Sequence, residues 1–200
     1  MADTFDFSTF PTLSSGQVVL REWQPDDAAD LFVWRSDPEV QRFNSAPMQD
    51  VAEAAELIKM MRSGYAAHLS IHWAVALAGN PRAIGLFGFS LWDRFHNRAE
   101  VGYDLRRDHW GRGIATQALQ ALLEFGFTRM HLNRVEAQTI ADNHESVRLL
   151  QRLGFRREGL RRAYSLEDDG IYHDGAIYGL LRDEFTTPAV FDSGQKAMPP

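Results

Sequence analysis

Apolar positions fall into two patterns along this chain: short dense runs of the kind strands use, and longer stretches repeating every three to four residues. Val18 to Leu20 predicts a first strand. Pro25-Asp26-Asp27 then opens a helix, its acids placed where the helix dipole favours negative charge, with Leu31, Trp34 and Arg35 in the later turns. Asp37-Pro38 stops it, because a residue before proline is pushed out of helical backbone. A second helix starts near Asp50, carries an apolar stripe of Val51, Ala54, Ala55, Leu57, Ile58 and Met61, and ends at Gly64.

Three strand-like runs follow, Ser70 to Ala78, Ala83 to Trp92 and Arg98 to Leu105. They are separated by Gly79-Asn80-Pro81 and by Asp93 to Asn97, connections short enough to predict an antiparallel meander. From Arg112 to Arg129 the spacing of Ile114, Ala118, Leu119, Leu122, Leu123 and Phe125 is helical. Val135 to Ile140 predicts another strand, and Glu145 to Leu153 a helix closed by Gly154. Two last strands are expected from Phe155 to Glu158, extendable to Tyr164, and from Ile171 to Leu181. The fold class is therefore α/β, a mixed sheet flanked by helices. Residues 1–185 are expected to form one domain and 186–200, with three prolines and no period, a flexible tail.

Composition narrows the chemistry. A chain of 200 residues that is 44% hydrophobic and 24% charged can bury a core, so it is no disordered acidic polymer. The absence of cysteine removes disulfides, thiolate metal sites and a cysteine nucleophile. A net charge of -6 argues against general nucleic-acid binding, which needs a basic surface to displace counterions. No run approaches the ~18 apolar residues of a membrane span, and Met1 to Phe7 lacks the cationic start of a secretory signal. The expectation is a soluble cytoplasmic protein with no membrane contact. His68 and His72, four apart in an extended region, do not suit a metal, so no metal site is expected.

Candidate chemistry begins at Arg106-Arg107-Asp108-His109-Trp110-Gly111-Arg112-Gly113, between a strand and a long helix. Gly111 and Gly113 allow a tight turn that presents backbone N–H groups at the helix start, a natural seat for an anion, with Arg112 adding charge. A phosphate-binding loop ending in Gly-Lys-Ser/Thr is missing, as is the third glycine of a dinucleotide fingerprint. The second cluster is Asp142-Asn143-His144-Glu145-Ser146. Asp142 and Glu145 read as a capping box, which leaves Asn143 and Ser146 at the mouth of the helix unexplained.

In order and spacing, these stretches resemble the GCN5-related N-acetyltransferase (GNAT) superfamily, closest to its RimJ/RimL branch of ribosomal-protein N-terminal acetyltransferases. The matching segments are Leu20 to Ala28, Ala99 to Leu105, His109 to Leu119, Asn133 to Ala137, Asn143 to Phe155 and His173 to Phe185. The resemblance implies a sheet splayed at the cofactor strands, with acetyl-CoA as co-substrate lying in the opening. Val101, Gly102, Tyr103 and Leu105 would pair their backbone with the pantetheine arm, as a peptide adds to a sheet edge. The pyrophosphate would rest on Trp110, Gly111, Arg112, Gly113, Ile114 and Ala115, with Asn143 on the pantetheine. Asp108 stands where the superfamily often has Gln or Arg, so no phosphate contact is assigned to it. Gln117 stands where the branch usually has Glu.

N-acetylation needs a neutral amine, a polarised thioester and a stabilised leaving thiolate. A chain-terminal amine has a pKa of ~8 against ~10.4 for lysine, a difference of ~3 kcal/mol before attack begins. Glu100 is the leading candidate for general base, through water, and Glu136 on the adjoining strand is the alternative. Ser146 would donate a proton or a hydrogen bond to the sulfur, unless it only satisfies a first-turn amide. A backbone N–H between Gly102 and Leu105 would polarise the thioester oxygen. Tyr103, Tyr164 and Tyr178 read as core or cleft wall, with an acceptor-ordering role as the alternative for Tyr164; Trp34, Trp73 and Trp92 read as core, with lining of the acceptor pocket as the alternative; His109 reads as part of the turn. The expected acceptor is a protein N-terminal amine, a ribosomal protein included. Small amines such as amino acids, polyamines or antibiotics, or a non-catalytic CoA-binding module, are the alternatives. The same reading leaves room for a homodimer.

Overall fold

In the computed structural model, residues 5–167 and 169–186 are described. The expected tail therefore lies, but for Thr186, outside the described residues. A hairpin of β1 (Leu13–Ser15) and β2 (Val18–Arg21) begins the fold, and a single 3-10 turn (Pro25–Asp27) leads into α1 (Ala28–Arg35). The strand Leu13–Ser15 was not expected, because its two serines break any apolar run. Then come α2 (Pro38–Gln41) and α3 (Val51–Ala66). Asp37-Pro38 does end one helix, but it also starts another. Asp37 accepts the Glu39 N–H at 2.9 Å and Pro38 takes the first helical position, where its missing N–H costs nothing.

Gly64 does not stop α3, which runs on to Ala66. A Cβ at Gly64 would lie 2.4 Å from the Ser70 hydroxyl oxygen, so glycine there serves the close return of the chain and not a helix end. The expected start does form: Asp50 and Glu53 make a capping box.

The meander is β3 (Ile71–Leu77), β4 (Asn80–Asp93) and β5 (Arg98–Leu105), followed by α4 (Ile114–Thr128), β6 (Arg134–Ile140), α5 (His144–Arg152), β7 (Arg156–Leu166) and β8 (Tyr172–Leu181). All eight strands form one sheet in the order β1-β2-β3-β4-β5-β6-β8-β7. Every pairing is antiparallel except β5 with β6, which must be parallel because the crossover α4 separates them.

Strand alternation divides the core between the two faces of the sheet. Ile71, Trp73, Val75, Phe87, Phe89 and Val101 pack against Ala118, Leu119, Leu122 and Leu123 of α4. On the other face, Ala74 and Leu86 meet Trp23, Leu31 and Trp34 together with Ala54, Ile58 and Met61 of α3. Leu119, Leu122 and Leu123 are fully buried, and each contributes about 1.5–3 kcal/mol by leaving water. Two polar anchors fix α1 to the sheet. Arg21 grips Asp27 with two bonds of 2.7 Å, and the buried Asp104 of β5 receives Trp34 Nε1 at 2.8 Å and sits 2.6 Å from the Arg35 guanidinium.

Candidate active site

β5 and β6 stay together for only three pairs: Arg98 with Arg134, Ala99 with Val135, and Glu100 with Glu136. Beyond that point β5 keeps its other partner as far as Leu105 opposite Gly85, and β6 keeps β8 as far as Ile140 opposite Gly175. Two inner edges, 101–105 and 137–140, therefore face an opening with their backbone groups unpaired across it. A register shift between Ser90 and Asp93, with Leu91 at φ 46°, lies where β5 begins and adds to the twist that separates the strands. Gly102 lies on the opened edge, and a Cβ there would meet nothing within 4 Å.

At the far end of β5 the chain turns through Arg107–His109 and then Gly111 and Gly113, at φ 70° and 74°. Both angles lie in the left-handed region that glycine adopts without strain. Gly113 caps α4 with no side-chain partner, so the first amides of a 15-residue helix are left for a ligand. A Cβ on Gly111 would also meet nothing within 4 Å. Trp110 ties the loop to the strand, its Nε1 donating to the Leu105 carbonyl at 2.7 Å. Arg106 occupies Asp108 at 3.0 Å, which agrees with giving Asp108 no phosphate. Ile114 and Val101 point into the core, so from these positions only backbone is offered to a ligand.

Glu100 and Glu136 are register partners and project from the same face, but their surroundings differ. Glu136 accepts Arg134 Nε at 2.8 Å and lies 3.6 Å from Arg98. The Glu100 carboxylate has no hydrogen-bond or ion-pair partner among the described residues. Burial, and secondly the nearby Glu136 charge, hold it above the ordinary glutamate range, while Arg161 pulls it the other way. Glu136 is thus a paired carboxylate, and Glu100 a poised one.

The helix α5 begins differently from expectation. Asn143, not Asp142, is its cap, with Oδ1 accepting the Ser146 N–H at 3.2 Å. Asp142 is drawn away by His173, whose Nδ1 it meets at 2.9 Å while Asp169 meets Nε2 at 2.9 Å. A charge-assisted bond outcompetes a neutral helix amide. The two carboxylates in turn raise the His173 pKa. Ser146 Oγ reaches across the opening to the Tyr103 hydroxyl at 2.9 Å. Sequence spacing could not reveal that contact, because the residues are 43 apart and belong to different elements. The same holds for Arg161, which donates to Gln138 on the β6 inner edge at 2.6 Å.

On the Glu100 face, His72, Gly88 and Gly102 lie in one row across β3, β4 and β5. The His72 ring lies over Gly88, and burial, helped by Arg35, pushes its pKa down to about 4, so it is a neutral imidazole at pH 7. Near the row, an open groove of about 550 Å³ is lined by Leu69, Leu91, Trp92, Asp93, Arg98 and Glu136. Trp34 and Trp73 are core residues, as expected, and Tyr164 is exposed. Among the described residues no cluster of three acidic or histidine side chains forms that would suit a metal, and no helix is long and apolar enough to cross a membrane.

The opened parallel strand pair and the glycine-turned helix start fit the fold that the resemblance implies, and comparison with known proteins agrees. The acetyltransferase (GNAT) domain matches residues 17–156. The uncharacterized N-acetyltransferase p20 of Bacillus licheniformis is 37% identical over 175 residues, covering 87% of this chain and 98% of that protein. The ribosomal-protein-serine acetyltransferase of Escherichia coli is 36% identical over 101 residues, about half of each chain (50% and 55%). The structure of Mycobacterium smegmatis RimJ in complex with CoA-disulfide superposes with a TM-score of 0.79 at 24% identity, over 88% of this chain and 89% of that one. The chain belongs to the GNAT acetyltransferase family. It is an acyltransferase of the N-acetyltransferase type.

Proposed function

We propose that the protein transfers the acetyl group of acetyl-CoA to the α-amino group of a protein N-terminus. The observation that carries this reading is the unpaired Glu100 at the apex of the strand opening, with its pKa raised and an open sheet face at Gly102 beside it. The opening suits a cofactor held mainly by backbone. The 101–105 edge would pair with the pantetheine amides, and the Trp110 to Ala115 segment would offer amides to the pyrophosphate. Room where a Cβ would stand at Gly111 is the fit such a ligand needs. Glu100 takes the amine proton through water, the amine attacks the thioester carbonyl, and a β5 N–H steadies the oxygen charge. Ser146 faces the departing sulfur.

The acceptor assignment rests on chemistry and on kinship. A chain-terminal amine is far more often neutral at pH 7 than a lysine, with pKa values of ~8 and ~10.4. A half-buried glutamate with a raised pKa matches that modest demand. The relative from Escherichia coli is named as a ribosomal-protein-serine acetyltransferase, and an open groove borders Glu136, the register partner of Glu100. The test is thiol release from acetyl-CoA with a panel of N-terminal peptides, ribosomal sequences included, against amino acids, polyamines and aminoglycosides. Turnover confined to peptides with free N-termini supports the reading. Preference for a small amine replaces the acceptor, and background release with every amine leaves only a CoA-binding module.

A further inference from the structure

Two hydroxyls meet where the opening between β5 and β6 is narrow enough for side chains to bridge it. Tyr103 comes from the β5 edge and Ser146 from the first turn of α5, and their oxygens are 2.9 Å apart. Neither is free to wander. The Tyr103 ring is stacked on Phe87, with centroids 5.6 Å apart and planes 20° from parallel. Ser146 is held through its backbone N–H by the Asn143 cap at 3.2 Å. The pair is a built contact between the two walls of the site.

Resting on the acetyl-transfer reading above, we propose that Tyr103 is a positioning residue for the leaving group: its hydroxyl donates to Ser146 Oγ, which leaves the Ser146 proton to point at the departing sulfur. Two hydroxyls that share one hydrogen bond have one proton to spare, and a phenol is the stronger donor of the two. Ser146 is therefore the acceptor within the pair and the donor toward the ligand. Without the Tyr103 bond, the Ser146 hydroxyl could turn back to a carbonyl in its own helix, as serines in helices do.

In the step itself the C–N bond forms, the C–S bond breaks, and the electron pair of that bond goes to sulfur. The amine proton leaves through Glu100 to water. Full proton transfer from the hydroxyl pair to the sulfur is disfavoured. Burial pushes the Tyr103 hydroxyl up to about 12, against ~8.5 for an ordinary thiol. Such a transfer is uphill on the order of a thousandfold. The pair therefore stabilises a thiolate by hydrogen bonding, and the thiolate takes its proton from water after it leaves. This chooses between the two roles open to Ser146.

The test follows the ultraviolet thiolate band of CoA bound to the protein as pH is raised, alongside kcat and KM for acetyl-CoA. In the wild type the bound thiol should titrate below free CoA. Tyr103→Phe should lose part of that depression and lower kcat by about three- to tenfold, the scale of one hydrogen bond, with KM within about twofold. Ser146→Ala should lose more, and adding Tyr103→Phe to it should cost nothing further, because the tyrosine acts through the serine. A wild-type thiol that titrates like free CoA, or a Tyr103→Phe protein with unchanged thiol pKa and kcat, overturns the proposal. So do losses that multiply in the double variant. The thiol titration needs no acceptor, so the two readings fail differently. A depressed thiol pKa with no amine acetylated sinks acetyl transfer and keeps the hydroxyl pair; no CoA binding sinks both.

Discussion

Gly88 and Gly102 are register partners on adjacent strands, project from the same face, and make opposite predictions for one substitution. A Cβ at Gly88 would lie 2.4 Å from His72 Cδ2 and 2.6 Å from the Ile71 carbonyl oxygen. The carbonyl belongs to the neighbouring strand and cannot yield cheaply, so Gly88→Ala should destabilise by about 1–3 kcal/mol. For a chain of this length that is a fall in Tm of roughly 2–10 °C. A Cβ at Gly102 would meet nothing. Gly102→Ala should therefore gain the ordinary advantage of alanine over glycine in a strand, about 0.5–1 kcal/mol, or roughly 1–4 °C. Yet the methyl would stand on the Glu100 face, where the amine has to approach, and a misplacement of ~1 Å costs ~100-fold in rate. Thermal unfolding of the free protein, acetyl-CoA titration and thiol release together check this. The expected Gly102→Ala protein is at least as stable as wild type, binds acetyl-CoA, and turns over about 10- to 100-fold more slowly. If it is destabilised like Gly88→Ala, the face at Gly102 is not open. If it keeps full turnover, the acceptor does not cross the sheet there and Glu100 loses its geometric claim.

Activity should rise with pH as Glu100 loses its proton, along a limb displaced above the usual carboxylate range. Glu100→Gln should remove that limb and lower kcat by about 100-fold or more with acetyl-CoA affinity kept; an unchanged profile excludes Glu100 as the base. Glu136→Gln deletes the like charge and should shift the same limb to lower pH, so a limb that stays put means that Glu136 exerts no field on the base. Gly111→Val puts a β-branched residue at φ 70°, and both the strain and the bulk should weaken CoA binding measured by calorimetry; normal affinity would remove the pyrophosphate from this turn. His173 has a folded-state pKa above its ordinary value, so its clamp on Asp142 and Asp169 is fully present below about pH 6.5 and is lost as pH rises through the folded value. His173→Gln should therefore lower Tm more at about pH 6 than at about pH 9, and an equal loss at both would mean that the clamp carries no charge.

Much of this fold could be read in advance because its signals are local. The β5 strand Arg98–Leu105 is legible to the residue, and the helix α4 departs from its apolar period only at the ends, since Gly113 caps it one residue after Arg112. The misses share a cause, which is that one residue type serves two purposes. Proline after Asp37 stops a helix and begins one. Glycine at 64 permits close packing inside a helix, although glycine most often marks an end. At the site, the glycine turn was legible because two glycines between a strand and a helix mark backbone that other residues adopt only with strain. The different surroundings of Glu100 and Glu136 were not, since they arise from Arg134 and Arg98 pairing with one carboxylate and leaving the other alone. The Asp142 capping box failed for a similar reason, as a histidine 31 residues away claimed the carboxylate.

These pairings suggest how one site keeps two recognition tasks apart. On the proposed reading, the cofactor side consists of backbone: an unpaired strand edge, two left-handed glycines and the first amides of α4, none of which depends on side-chain identity beyond glycine. On the same reading, the acceptor side consists of side chains from elements distant in sequence. Glu100 is placed by β5, and β5 is fixed in turn by Asp104 gripping Trp34 and Arg35 of α1. Asp104 is two residues beyond Gly102 on the same face, so the α1 anchor and the open acceptor floor share a strand. Cutting that anchor would leave the Arg35 cation and the Trp34 N–H without their partner, at about 3–5 kcal/mol, and would loosen the floor before it touched the phosphate turn. On the proposed reading, acceptor specificity is coupled to the packing of α1 and α3, whereas CoA binding is coupled to α4. Substitutions among Trp34, Arg35 and Asp104 should change which amine is acetylated, or how fast, at a nearly constant affinity for acetyl-CoA.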